Sequence, residues 1–259
     1  MDLGIAGRKA IVCASSKGLG RACAFALAKA GCDVVISGRS AERLTRTAEE
    51  LRCTTGAKVR EVAGDLDDSR TRETLIAACP DADILVNNNG GPPFQPFAEI
   101  RREDILKGVE ANMLTAIALV QALLPGMASR KFGRIVNITS SSVRAPIAGL
   151  DVSSGARAGL TAFLASAARA HVRDNVTINC IQPGAFDTDR QRSSLERAAA
   201  QRGVSVEIAR AEAQARNPAG RFGEAAELGA LCAFLASAHA GFITGQNILI
   251  DGGAFPGAF

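Results

Sequence analysis

Two short stretches hold residues arranged for phosphate chemistry. ASSKGLGRA, residues 14 to 22, sets Gly18 and Gly20 directly after an apolar run, where a chain must turn sharply and begin a helix. Small residues there let the backbone approach a pyrophosphate, and a helix N-terminus offers free N–H groups and a partial positive charge. A lone GxG also serves purely structural turns, so its weight comes from its place at the first strand-to-helix junction and from the second strand downstream. There VVISGRS puts Gly38 and Arg39 where an NAD-binding fold carries an acid for the adenosine ribose hydroxyls. An arginine suits a 2′-phosphate through charge-assisted bonds, and Lys17 adds a second cation. NADP(H) is the cofactor expected; the alternative is that both cations are merely solvated.

These loops need a scaffold. Short β-branched or apolar runs alternate with helix-length amphipathic stretches, the pattern of βαβ units and a parallel sheet. Strands are expected near 9–14, 33–37, 58–62, 83–87, 133–139, 176–182 and 247–252, with helices near 19–30, 41–53, 69–79, 102–129, 154–172 and 224–237. Strands apolar on both faces suit a sheet covered on both sides. The fold class is therefore α/β: a Rossmann fold with a doubly wound, seven-stranded parallel sheet and helices on both faces. No Pro/Gly/Ser-rich linker or composition shift divides the 259 residues, so 1–259 reads as a single NAD(P)-binding domain. The charged, Ala- and Arg-rich segment 187–221, inserted between the sixth and seventh strands, is expected to form a helical substrate lid; otherwise it is a peripheral hairpin.

Composition excludes several classes. With 47% hydrophobic and 22% charged residues the chain is of ordinary globular type, and no apolar run approaches the length of a membrane span. MDLGIAGRKAIVCAS passes straight into a strand-like run with no charged region followed by a long apolar one, so a cytoplasmic location is expected. The seven cysteines are odd in number, scattered and never spaced as CxxC, which reads as reduced, buried small hydrophobes. The net charge of +4 comes from dispersed arginines without Trp or Tyr between them, so neither nucleic acid nor membrane is an expected partner. His171 and His239 lack Cys, Asp or Glu at ligand spacing, and no metal site is expected.

Over nearly its whole length the chain resembles the short-chain dehydrogenase/reductase family, in its 3-oxoacyl-(acyl carrier protein) reductase-like branch. The matching pieces are Ala14-Ser15-Ser16-Lys17-Gly18-Leu19-Gly20 for the glycine loop, Asp65-Leu66 for the adenine contact and Asn87-Asn88-Asn89-Gly90 for the NNAG strand end. Asn112 matches the helix asparagine, Asn137-Ile138-Thr139-Ser140 the catalytic serine strand, Pro183-Gly184 with Thr188 the nicotinamide amide contacts, and ITGQNILIDGG the last strand. Cys13-Ala14 replaces the usual Thr-Gly, and Asn89 the usual Ala. An alanine at the first loop position still lets the backbone pass near phosphate if its dihedrals stay in the ordinary L-residue region.

In this family a serine polarises the substrate carbonyl, a tyrosine thirteen residues later donates the proton, and a lysine four residues further lowers the tyrosine's pKa and holds the nicotinamide ribose. Counted from Ser140, those places hold Ser153 and Arg157. A tyrosine of reference pKa ~10 is tunable by an adjacent cation, whereas a serine hydroxyl does not release a proton usefully without a strong base beside it. Arg157 stays protonated, yet its planar fork can hold ribose hydroxyls and offer charge to a developing alkoxide. Losing a positioned general acid costs ~10²- to 10⁴-fold, while orientation of the hydride donor is untouched. No other tyrosine can substitute. Asp151 is either a replacement acid or a cap on the following helix, and Gly90-Gly91-Pro92-Pro93-Phe94 either shapes the pocket wall or is a stiff turn.

The resemblance thus implies an NADP(H)-dependent oxidoreductase acting on a small-molecule carbonyl or alcohol with an atypical proton donor. A redox-inactive nucleotide-binding protein and a non-redox lyase or isomerase are the alternatives. It also implies a homotetramer or homodimer pairing helices 102–129 and 154–172 and the last strand.

Overall fold

Alternation along the apolar runs sends neighbouring residues to opposite faces of a sheet. In the first strand Ala10 and Val12 enter one core while Ile11 enters the other. The computed structural model describes residues 1–257. Within them lie β1 (Lys9–Val12), β2 (Asp33–Gly38), β3 (Val59–Ala63), β4 (Ile84–Asn87), β5 (Gly133–Ile138), β6 (Val176–Pro183) and β7 (Asn247–Ile250). All pair in parallel in the order β3-β2-β1-β4-β5-β6-β7.

Helices α1 (Gly18–Lys29), α2 (Ala41–Thr55) and α9 (Ala225–Ala236) supply Cys23, Leu27, Leu44, Leu51, Leu228 and Cys232 to one core. On the other face α3 (Ser69–Ala78), α5 (Thr115–Ser129) and α6 (Asp151–His171) contribute Leu75, Leu119, Leu123, Leu160 and Leu164. The doubly wound, seven-stranded expectation is met. Strand order reverses between β1 and β4, so their C-terminal ends open the crevice in which such sheets place ligands.

Several boundaries differ from the sequence reading for local reasons. The long helix expected over 102–129 is α4 (Arg102–Val109) and α5 joined by a π-helical turn at Glu110–Leu114. Its 28 residues are long and apolar enough to cross a membrane by length and composition, but Ile117, Leu119, Val120, Leu123 and Met127 pack into the core. Helix α6 starts at Asp151, three residues before the expected 154, since the Asp151 carboxylate accepts the Gly149 N–H (3.2 Å) and folds the entering loop back. That bond precedes the helix, so Asp151 is not an N-cap. Segment 187–221 forms α7 (Asp189–Arg202), capped by Thr188, and α8 (Val206–Ala215), capped by Ser205, with Gly203 (φ 65°) turning between them. Six cysteines are buried, but Cys53, on the outer side of α2, is exposed. His171 has an acidic neighbour after all, with Asp174 3.8 Å away one turn on; His239 Nε2 meets Asp2 O at 2.8 Å.

Candidate active site

Ser15 anchors the turn after β1. Its N–H donates to Ser37 O (2.8 Å), its hydroxyl donates to Val12 O (2.6 Å) and accepts Ser37 N–H (3.2 Å), so both its donors are spent joining β1 to β2. Thr47 Oγ1 holds Ser16 O at 3.0 Å. Ala14 does not keep the ordinary L-residue backbone: its φ is 44°, in the left-handed region where a Cβ is penalised. Gly18 (φ 59°) makes the second reversal. At Gly20 the chain passes so close that a Cβ would lie 2.5 Å from Ala14 O and 2.7 Å from Asn88 Nδ2. Lys17, at the N-cap of α1, makes no side-chain capping bond. The first-turn N–H groups of α1 therefore lack a side-chain acceptor, which suits a pyrophosphate.

Around this cradle the other expected residues converge. Asn88 Nδ2 ties β4 to the turn through Ala14 O (3.2 Å). Leu66 is buried, Leu19 half-buried, and Asp65 half-exposed. Arg39 lies at the rim, 79% exposed and 4.0 Å from Asp65, free to swing toward a ligand. The Thr188 methyl would stand 3.9 Å from a Cβ on Gly18, which brings the start of α7 over the glycine turn. Lys17 pairs with Asp189 at 3.3 Å across the same gap. Pro183 ends β6, and Gly184 N–H donates to Ile250 O (2.9 Å), which ties the start of the following loop to the end of β7.

A second group sits deeper. Asn112 lies in the π-helical turn, a geometry that often marks functional positions. Its Nδ2 donates to Gly90 O (3.2 Å), while its buried Oδ1 has no partner among the described residues. Asn89 donates to Asp67 and to Ala111 O, both at 3.0 Å. The Asp67 carboxyl is held above its usual range by burial and by the Asp65 charge, against the lowering effect of the Asn89 bond. Ser140 Oγ accepts from Ser142 N–H (3.1 Å) and Ser142 Oγ (2.8 Å), which leaves its own O–H to donate elsewhere.

Ser153 and Arg157 stand one turn apart on α6, both buried at 2% and 7% exposure, and Arg157 Nη1 donates to Ser153 Oγ. Arg157 Nη2 reaches Asn89 O at 3.3 Å. Burial, and then the charge of Arg190, push the Arg157 guanidinium down to about 10, still protonated at neutral pH. Asn112, Asn89, Gly90 and Arg157 are thus brought together. Asp151 is exposed and turned to the Gly149 amide, a part in the loop that does not require it to relay protons through Ser153. The sequence reading passed over Arg190. It lies beside Arg157 and Gly91, and its position in an Arg-rich segment without a motif gave no signal.

Residues 13–254 match the family model described as enoyl-(acyl carrier protein) reductase. The chain belongs to the short-chain dehydrogenase/reductase family. It is 31% identical to NADPH-dependent reductase BacG of Bacillus subtilis over 252 residues, 95% of this chain and 97% of that one. It is also 31% identical to 3-oxoacyl-[acyl-carrier-protein] reductase FabG of Aquifex aeolicus over 259 residues, 98% of this chain and 100% of the relative. Among solved structures, L-sorbose reductase of Gluconobacter frateurii, complexed with NADPH and L-sorbose, superposes with a TM-score of 0.94 at 29% identity, covering 99% of this chain and 100% of that one.

Proposed function

We propose that this chain is an NADP(H)-dependent oxidoreductase, a cytoplasmic homodimer or homotetramer that interconverts a small-molecule carbonyl and alcohol, with Ser153 and Arg157 in the places of the family's tyrosine and lysine. The carrying observation is the Arg157–Ser153 bond, a buried cation and hydroxyl in family register beside Asn112, Asn89 and Gly90. Support for the cofactor comes from the open cradle at Ala14–Gly20, from Arg39 at its rim, and from relatives described as NADPH-dependent or bound to NADPH.

The residues fit a dinucleotide: the α1 N–H groups and Gly18-Leu19-Gly20 would hold the pyrophosphate, Arg39 and Lys17 the 2′-phosphate, and Asp65-Leu66 the adenine. Asn88, Asn89, Gly90, Arg157, Pro183, Gly184 and Thr188 would surround the nicotinamide riboside. The bound nicotinamide would supply or take up the hydride. Ser140 donates its free O–H to the substrate oxygen. Arg157 places a fixed positive charge near the same oxygen, which favours a developing alkoxide where water is excluded. Its bond polarises Ser153, whose O–H passes on a proton from water in the cleft; without a strong acid this step is slow. Helices α7 and α8 act as the lid, since α7 begins over the glycine turn.

The test is NADPH consumption against ketones, β-ketoacyl thioesters, quinones and imines. Turnover above buffer background with any member is expected. Tight NADPH binding without consumption would overturn the reading in favour of a redox-inactive nucleotide-binding protein, and product formation without redox change would point to a lyase or isomerase.

A further inference from the structure

Two buried guanidinium groups in this fold are treated differently. Arg134, 1% exposed, is satisfied by the chain itself: Nε donates to Ser237 O (3.0 Å), Nη1 to Gly133 O and Asn175 O (both 2.8 Å), and Nη2 to Asn175 Oδ1 (3.1 Å). Among the described residues Arg157 has only Ser153 Oγ and the 3.3 Å bond to Asn89 O as partners, and the charge that acts on it most is another cation, Arg190. Arg190 donates to Pro92 O at 3.3 Å and, among the described residues, makes no ion pair. The nearby carboxylates are taken: Asp187 by Arg210 (2.6 Å) and Arg192 (3.8 Å), Asp189 by Lys17 (3.3 Å) and Arg192 (3.5 Å).

The two guanidinium groups converge on one spot. A Cβ added to Gly91 would lie 2.6 Å from Arg190 Nη1, 2.8 Å from Arg190 Nη2 and 3.2 Å from Arg157 Nη1. Both guanidinium groups therefore pack against the bare backbone of Gly91, and a side chain at 91 would push them apart. Like charges in a partly desolvated cleft repel and leave donors unmet. An oxyanion between them reverses the sign and matches two planar forks with charge-assisted, bidentate bonds.

We propose that Arg157 and Arg190 clamp the carboxylate of an oxo- or hydroxy-acid substrate, an inference that takes the chemistry performed on that substrate, but not its binding, from the oxidoreductase reading above. Ser153 Oγ is bonded to the same guanidinium, so a carbonyl one or two bonds from the carboxylate reaches that hydroxyl. Substrates of this site are then 2-oxo or 3-oxo acids and the corresponding hydroxy acids. A neutral ketone leaves the pair unpaired and forfeits the attraction.

Calorimetry on the full chain saturated with NADP⁺ tests this with matched probes: oxamate against oxamide, and acetoacetate against acetoacetamide. Each acid is expected to bind at least tenfold tighter than its amide. Arg190→Gln should abolish the preference and Arg190→Lys should keep part of it. Gly91→Val, which keeps both charges but pushes the two guanidinium groups apart, should abolish it as well and serves if an arginine variant fails to fold. Acids and amides that bind equally, or not at all, would overturn the clamp. So would Arg190→Gln weakening NADP⁺ while the acid preference persists, because Arg190 would then serve the cofactor phosphates. If the preference holds but no acid is reduced with NADPH, the clamp stands and the oxidoreductase reading fails.

Discussion

A tyrosine at 153 has little room while Arg157 remains, because Ser153 is 2% exposed and its Oγ already accepts from Nη1. Ser153→Tyr alone is therefore expected to bring little gain, whereas Ser153→Tyr with Arg157→Lys removes the wide guanidinium and restores the usual donor with a compact cation. Reduction of a generic ketone by the double variant should rise by ~10²-fold or more; steady-state rates no higher than the native protein's would show that the hydride-transfer site is not otherwise intact. Arg157 also bears on stability. The folded protein holds its proton less tightly than the unfolded chain, since burial lowers its pKa to about 10. It therefore subtracts stability at every pH below about 10, and the penalty shrinks as pH rises from there toward the ordinary arginine value. Arg157→Met should accordingly raise neutral-pH stability, by about 1–3 kcal/mol, seen as a higher Tm that converges with the native value in strong alkali. A lower Tm at neutral pH would mean that the Ser153 and Asn89 bonds outweigh desolvation. At the cleft rim, Arg39→Asp is expected to erase or reverse a preference of at least ~10-fold for NADP(H) over NAD(H). Calorimetry giving equal native affinities for the two would mean that Arg39 plays no part in cofactor choice.

Among the elements, the β1–α1 turn carries the clearest conflict between residue and conformation. Ala14 sits at φ 44° where the family has glycine, and Ala14 O is also the atom that Gly20 approaches. The left-handed conformation costs an alanine about 1–2 kcal/mol, part of which glycine returns through its freer unfolded chain. Ala14→Gly is expected to stabilise the protein by about 0.5–1 kcal/mol, measurable by chemical denaturation, with cofactor affinity unchanged or improved. No gain would place the strain elsewhere in the turn. The π-helical turn within 102–129 shows a similar override of local pattern: EANML reads as ordinary helix, yet the turn sets Asn112 against Gly90 O.

At the scale of the molecule, Leu106, Leu114 and Phe163 stand exposed on α4, the π turn and α6, which pack together, while β7 at the sheet edge is only half-buried. Apolar residues left open on neighbouring helices suit a self-complementary, two-fold contact. Light scattering is expected to give a dimer or tetramer of the 26.8 kDa chain, and Leu106→Glu with Phe163→Glu should lower the mass at the same concentration. A native monomer would refute the proposed assembly.

Pattern alone determined the sheet, because the period of apolar residues and the placing of glycines are local properties that survive without knowledge of contacts. Spacing alone also set Ser153 and Arg157 one turn apart on a helix, because four residues along α6 make about one turn. The convergence of Arg190 on Arg157 across Gly91 was decided only in three dimensions: three residues from the loop after β4, from α6 and from the inserted segment meet through packing, and no spacing between them records it. The same holds for the left-handed Ala14 and the unpaired Asn112 Oδ1. A left-handed dihedral in a turn packed against Gly20, and an oxygen stranded by burial, depend on what surrounds a residue and not on what it is.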